Sequence, residues 1–203
     1  MDNAFKINNC AAVLLAAGAS IRLGKPKQLL TYKGKSFLQN MVSAARSSHL
    51  NPIIVVLGAY ATLIKREITD NNVHIVHNQD WEEGIASSIR SGIRALAKIN
   101  PDSDATILMV CDQPYITSSL LNDLLAEQQK TRTPIVAACY SDIAGTPALF
   151  HKTFFPELLL LKGDKGAGRI LQQQTELVAT VSFPMGIIDI DTTDNYEMLR
   201  RND

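Results

Sequence analysis

The residues best suited to chemistry lie where an apolar run, Ala11 to Leu15, breaks at Gly18 into a loop holding Ser20, Arg22, Gly24, Lys25 and Lys27. Backbone N–H groups freed around Ala17, Gly18 and Ala19 can face an anion, Arg22 can grip phosphate oxygens in pairs, and Lys25 and Lys27 add mobile point charges. A buried strand emptying into such a loop is a phosphate-sized cradle. The spacing is neither the GxxxxGKS/T of a P-loop nor GxGxxG, so a glycine-rich turn with exposed lysines is the competing structural reading. A second candidate is Asp112, which directly follows the apolar run Thr106 to Cys111 and stands before Gln113-Pro114. A carboxylate at the carboxyl end of a core strand suits a hard cation shared with phosphates, although a turn-forming aspartate ahead of a proline fits the same residues.

These groups need a scaffold, and the periodicity supplies one. Ser36 and Gln39 have capping-box spacing, and Phe37, Met41, Ala44 and Ala45 continue at helical period to about Ser48. Ile53 to Leu57 and Val73 to Val76 are short aliphatic strands, with Tyr60 to Ile68 read as a helix between them. After the polar loop His77 to Gly84, the residues Ile85, Ile89, Ile93 and Leu96 fall on one helical face, ended by Pro101. The strand before Asp112 is followed by a helix capped at Thr117 or Ser118 and running to about Gln129.

Pro134 to Cys139 and Pro147 to Phe150 read as strands whose short connection makes one of them antiparallel. Phe154 to Leu161 reads as a helix, the loop Lys162 to Arg169 leads to another through Gln173, and Leu177 to Ser182 and Ile187 to Ile190 read as the last strands. Thr192 caps a final helix through Arg200. The alternation predicts an α/β fold with a doubly wound, mostly parallel sheet and a short antiparallel part. With neither repeats nor a low-complexity linker, residues 1–203 form one domain.

Composition narrows the function classes. With 46% hydrophobic residues, 20% charged residues and a formal net charge of +0, the chain has neither the composition of a disordered segment nor the basic field of a nucleic-acid binder. No apolar run approaches the roughly 20 residues of a membrane span, and the N-terminus lacks a secretory pattern, so a cytoplasmic location is expected. Cys10, Cys111 and Cys139 lack CxxC spacing and read as buried small hydrophobes. His49, His74, His77 and His151 lack paired-ligand spacing, and Trp81 reads as a loop anchor.

The stretch LAAGASIRLGKPKQLL resembles the signature LAAGxSxRxGxPKxLL of the sugar-nucleotide and molybdopterin nucleotidyltransferases, the MobA-like NTP transferase family. It is most similar to the molybdopterin cytidylyltransferase-like branch. HNQDWEEGIASSI, CDQPYIT, GTPALF, GDKGAGRIL and DIDTTDNYEML extend the resemblance over nearly the whole chain. The resemblance implies a Rossmann-like nucleotidyltransferase fold and transfer of an NMP, CMP from CTP in this branch, to a phosphate of a small acceptor such as molybdopterin. It assigns Ala16, Ala17 and Gly18 to the base and backbone of the nucleotide, with Ser20 in the same loop, and Arg22 and Lys27 to the triphosphate as catalytic cations. Gly84 and Ser87 match positions near the base and ribose, and Asp112 matches the aspartate that holds catalytic Mg2+.

The resemblance implies Asp191 as the second carboxylate at the same metal, although a helix-initiating aspartate fits the same residue, while its neighbour Asp189 alternates to the other strand face. The resemblance places the loop Gly163 to Arg169 on the acceptor side, where Lys165 and Arg169 could meet an acceptor phosphate, although a solvated basic loop fits the same residues. Two departures stand out: Thr193 replaces a usual proline, and Thr146 stands where relatives acting on molybdopterin often have histidine. A sugar phosphate or another alcohol phosphate thus stays open as acceptor, as does a non-catalytic protein that delivers a bound nucleotide or cofactor. A protein partner among molybdoenzymes or their chaperones follows from the same resemblance; nucleic-acid and membrane partners do not.

Overall fold

In the computed structural model, which describes residues 5–201, the strand β1 (Cys10–Ala16) is buried along its whole length. Period-two alternation explains its unbroken apolar run: Ala12, Leu14 and Ala16 enter one core, and Ala11, Val13 and Leu15 enter the other. β1 pairs in parallel with β4 (Ile53–Leu57) and β6 (Ala105–Val110), and β4 in turn with β5 (Val73–His77). A two-residue hairpin, β2 (Thr31–Tyr32) with β3 (Lys35–Ser36), forms a separate small sheet.

The main sheet has seven strands in the order β5-β4-β1-β6-β8-β7-β9, completed by β7 (Ile135–Tyr140), β8 (Ile143–His151) and β9 (Val178–Ser182). β8 runs antiparallel to both β6 and β7, whereas β7 and β9 are parallel. A short antiparallel part is therefore present where the tight link between β7 and β8 requires it.

Helices cover both faces. α1 (Phe37–Ser47), α4 (Ser118–Thr131) and α7 (Thr193–Arg201) pack on one core, and α3 (Ile85–Ile99), α5 (Phe155–Leu160) and α6 (Gly168–Gln173) on the other. The capping box at Ser36 and Gln39 forms as expected, and Thr117 accepts from the Leu120 N–H at the start of α4. Among the described residues no helix is long and apolar enough to cross a membrane.

Two elements differ from the sequence expectation. Between Tyr60 and Ile68 only α2 (Ala61–Ile64) is α-helical, followed by a tighter turn over Lys65–Glu67. Tyr60 enters α2 with φ 59 and makes no side-chain cap; the first turn is held by backbone bonds alone, Ala61 N to Gly58 O at 3.2 Å and Leu63 N to Tyr60 O at 2.9 Å. Ile187 to Ile190 is not a strand: Pro184–Ile187 forms a tight turn, and the following backbone is held by the end of β6. There Gln113 Nε2 donates to Gly186 O at 3.1 Å and Ile190 N to Asp112 O at 2.9 Å, so these contacts take the place of a sheet ladder.

Candidate active site

The carboxyl ends of β1 and β6 open into a cavity of about 630 Å³. In a sheet of this kind the order of parallel strands leaves a crevice there, and the loops leaving β1 and β6 supply its polar groups. Ala17, Gly18, Ser20, Arg22, Lys27, Gly84, Asp112 and Asp191 all border it.

The loop after β1 is built to aim Lys27. Ser20 and Gly24, at φ 52 and φ 70, bracket a tight turn over Ile21–Leu23. The Ser20 hydroxyl then accepts from Lys27 N at 3.1 Å. Beneath it, the buried Gln28 donates from Nε2 to Ala16 O at 2.9 Å and Gly18 O at 3.1 Å, tying the loop back to the strand that feeds it. Gln28 did not stand out in the sequence, where it is one more polar residue beside Lys27. Lys25 turns away, its ammonium 5.1 Å from the centre of the Tyr196 ring.

Lys27 joins two carboxylates that are remote in sequence. Its Nζ lies 3.1 Å from Asp112 Oδ2 and 2.8 Å from Asp191 Oδ1, and Arg22 Nη2 lies 2.6 Å from Asp191 Oδ2. Burial pushes the Lys27 pKa down, but the Asp112 charge and then the bonds to Asp191 and Asp112 outweigh it, and the net direction is up. Asp191 is held below the usual carboxylate range, chiefly by its hydrogen bond from Lys27. Asp189 does not border the cavity. Burial, followed by the charges of Asp112 and Asp191, pushes its pKa up to about 6.

Asp112 Oδ1 is buried and has no hydrogen-bond partner, which leaves one carboxylate oxygen available to a ligand. Among the described residues no group of three or more His, Cys, Asp or Glu side chains is placed to hold a metal. The arrangement fits a hard cation that takes one or two carboxylates and completes its shell with phosphate oxygens, the usual magnesium pattern.

The opposite wall comes from the start of α3. Gly84, at φ 115 and ψ −176, occupies a conformation open essentially to glycine alone, and a Cβ there would run into Asp164 Oδ1 and come within 2.7 Å of Gly163 O. Ser87 does not border the cavity: its hydroxyl donates to Gly84 O at 2.9 Å and accepts from Asn78 Nδ2 at 2.8 Å. One step of 100° further round the helix, Ser88 borders the cavity instead. Ala16 is likewise absent from the lining; as the last residue of β1 it is buried and contributes only its carbonyl to Gln28. Trp81 forms part of the wall and packs against Gly58, where a Cβ would meet its ring.

Lys165 and Arg169, expected near an acceptor, lie around a separate depression with Lys162 and Leu160. Thr146 donates to Gln113 Oε1 at 3.4 Å, behind Asp112.

A nucleotide-sized crevice at the strand ends, with cations and carboxylates interleaved, defines a phosphate-handling α/β protein. Residues 12–178 match the MobA-like NTP transferase domain, and the chain belongs to this family. It is 30% identical to purine catabolism protein PucB of Bacillus subtilis, over 93% of this chain and 95% of that one. It is also 30% identical to nicotine blue oxidoreductase of Paenarthrobacter nicotinovorans, over 92% and 95%. The molybdenum cofactor cytidylyltransferase of Escherichia coli is 22% identical over 91% and 92%.

Among solved structures, Rv0371c of Mycobacterium tuberculosis H37Rv superposes with a TM-score of 0.81 at 31% identity, covering 95% of this chain and 98% of that one. A second Rv0371C structure, in complex with manganese, gives a TM-score of 0.78 at 28% identity, covering 97% and 100%.

Proposed function

We propose that this chain is an NTP-dependent nucleotidyltransferase that moves CMP from CTP to the phosphate of molybdopterin, with release of pyrophosphate. One observation carries the reading: Lys27 and Arg22 lie against Asp112 and Asp191 at the mouth of a nucleotide-sized cavity. Binding of an anion alone calls for the cations but not for carboxylates opposite them. Binding of a metal-bound triphosphate calls for both signs.

The residues divide the work by position. Ala17 and Gly18 present backbone to the nucleotide, and the Ser20 and Gln28 bonds keep their loop in one shape. Arg22 and Lys27 leave their aspartates to meet phosphate oxygens, where they neutralise charge that grows as the α-phosphorus is attacked in line and pyrophosphate departs. Asp112 and Asp191 would hold Mg2+ together with the triphosphate, and the ion would supply further charge neutralisation and alignment of the reacting oxygens. No protein nucleophile is needed for such a transfer.

The acceptor assignment draws on the resemblance of the whole chain to the molybdopterin branch and on the family's molybdenum cofactor members. A cytoplasmic setting suits the three free cysteines, and a molybdoenzyme or its chaperone would be the natural receiver of the product. Thr146 instead of histidine favours testing sugar phosphates and alcohol phosphates beside molybdopterin. Pyrophosphate release, measured for each NTP with and without Mg2+ and each acceptor, tests the proposal. Tight nucleotide binding with no release for any pair would replace it with a delivery role.

A further inference from the structure

We infer that Asp164 selects the base of the bound nucleotide, accepting a hydrogen bond from an exocyclic amino group and so favouring cytosine over uracil. The inference rests on the nucleotidyltransferase reading above. It starts from the two walls of the cavity. Arg22, Lys27, Asp112 and Asp191 form the charged wall, whereas the start of α3 and the loop after α5 bring Gly84, Ile85, Ser88 and Asp164 to the other. With a triphosphate against the cations, the base lies on the second wall.

Asp164 is carried there by a fixed loop. Arg90, whose side chain is 14% exposed, pairs with Glu83 through both nitrogens at 2.8 and 2.5 Å and donates to Leu161 O at 2.7 Å. Glu83 Oε1 also accepts from Gly163 N at 3.1 Å, and Ala86 N donates to Gly163 O at 3.1 Å. This clasp locks residues 161–163 onto the first turn of α3, and the missing Cβ of Gly84 leaves the space that Asp164 Oδ1 fills. Among the described residues, none is placed to donate to the Asp164 carboxylate. Its acceptor capacity is therefore open to a ligand.

The neighbouring Ser88 has the opposite polarity. It is buried, its oxygen accepts from Asn78 Nδ2 at 3.1 Å, and its O–H remains to donate. A wall offering a carboxylate acceptor and a hydroxyl donor matches cytosine, which presents an amino donor beside ring-nitrogen and carbonyl acceptors. Uracil places a carbonyl oxygen where cytosine has the amine, so its O4 would face the Asp164 carboxylate. Discrimination then includes a repulsive element as well as an attractive one. Neither element touches the triphosphate wall.

Calorimetric titration of CTP and UTP with Mn2+ present and no acceptor tests this, using wild type, Asp164→Asn and Asp164→Ala. The wild type should bind CTP at least about tenfold more tightly than UTP, the effect of one charge-assisted hydrogen bond. Asp164→Asn, whose amide can turn either face to the base, should bring the two affinities within about threefold, and Asp164→Ala should weaken CTP while sparing UTP. A wild-type preference retained in both variants, or no preference in the wild type, overturns the inference and leaves the enzyme reading standing. A wild type that binds no nucleoside triphosphate overturns that reading and the inference together.

Discussion

Replacing Lys27 by methionine should strengthen binding of a lone divalent cation while disabling the enzyme. In the described structure the ammonium sits between the Asp112 and Asp191 carboxylates, 3.1 and 2.8 Å from their oxygens, so an incoming cation must displace it. A pair of unit charges about 4 Å apart is worth about 4 kcal/mol at an effective dielectric near 20 and about 1 kcal/mol in bulk water. With side-chain exposures of 15% for Lys27, 27% for Asp112 and 31% for Asp191, the site lies between those limits. Its ammonium should therefore oppose a metal by about 1.5–3 kcal/mol, or about 10- to 100-fold in affinity.

Mn2+ titration without nucleotide, followed by electron paramagnetic resonance, reads this directly. Lys27→Met should bind Mn2+ about 10- to 100-fold more tightly than wild type, and Lys27→Arg should stay near wild type. Unchanged or weaker Mn2+ binding in Lys27→Met, with the fold intact by circular dichroism, would refute the view that Lys27 occupies the cation's carboxylates. Nucleotidyl transfer by the same variant should fall by about 10²- to 10³-fold, the usual effect of losing one preorganised charge-stabilising group.

Further outcomes follow from the same contacts. Gly84→Ala should destabilise the fold by about 1–3 kcal/mol through its backbone conformation, and should weaken CTP binding by displacing Gly163 and Asp164, both readable by thermal melting and calorimetry. Gly92→Ala, in the middle of α3, should lower stability by about 1–3 kcal/mol despite alanine's better helix propensity, because its Cβ would strike Val13 and come 3.3 Å from Val56 Cγ2; a melting temperature equal to wild type would contradict this. Glu83 is held at about 2, chiefly by its hydrogen bond from Arg90, so its stabilising contribution is complete above the ordinary glutamate range and lost as the pH falls through about 2. Amide exchange at Gly163 should accordingly stay slow down to about pH 3 in wild type and be faster in Glu83→Gln above that pH.

Much of this was legible in the residues themselves. β1, β4 and β6 announce themselves as continuous apolar runs because both faces of the sheet are covered, and the Ser36 cap and Thr117 mark their helices with local hydrogen-bond chemistry. The loop from Ala17 to Lys27 and Asp112 stood out as polar groups that abruptly end apolar strands, and both border the cavity. Local signals fail where tertiary contacts decide. Ile187 to Ile190 has a strand's composition, yet Asp112 holds its backbone at Ile190 and Gln113 holds the turn before it at Gly186.

Ser87 and Ser88 are adjacent and chemically identical, so only the helix phase set by packing tells which one meets the cavity. The ion pairs of Lys27 span 85 and 164 residues, and no spacing rule reaches that far. Nor did anything local to Arg90 mark it as the residue that would hold the loop of Asp164.

The most direct measurement is pyrophosphate release from CTP by the purified protein with Mg2+ and molybdopterin, run beside GTP, ATP and UTP and beside sugar phosphates and alcohol phosphates as acceptors. Release that requires both CTP and molybdopterin, stops on chelation of the metal and is lost in Asp112→Ala is the expected result. A protein that binds CTP tightly but releases no pyrophosphate with any nucleotide and any acceptor would contradict it.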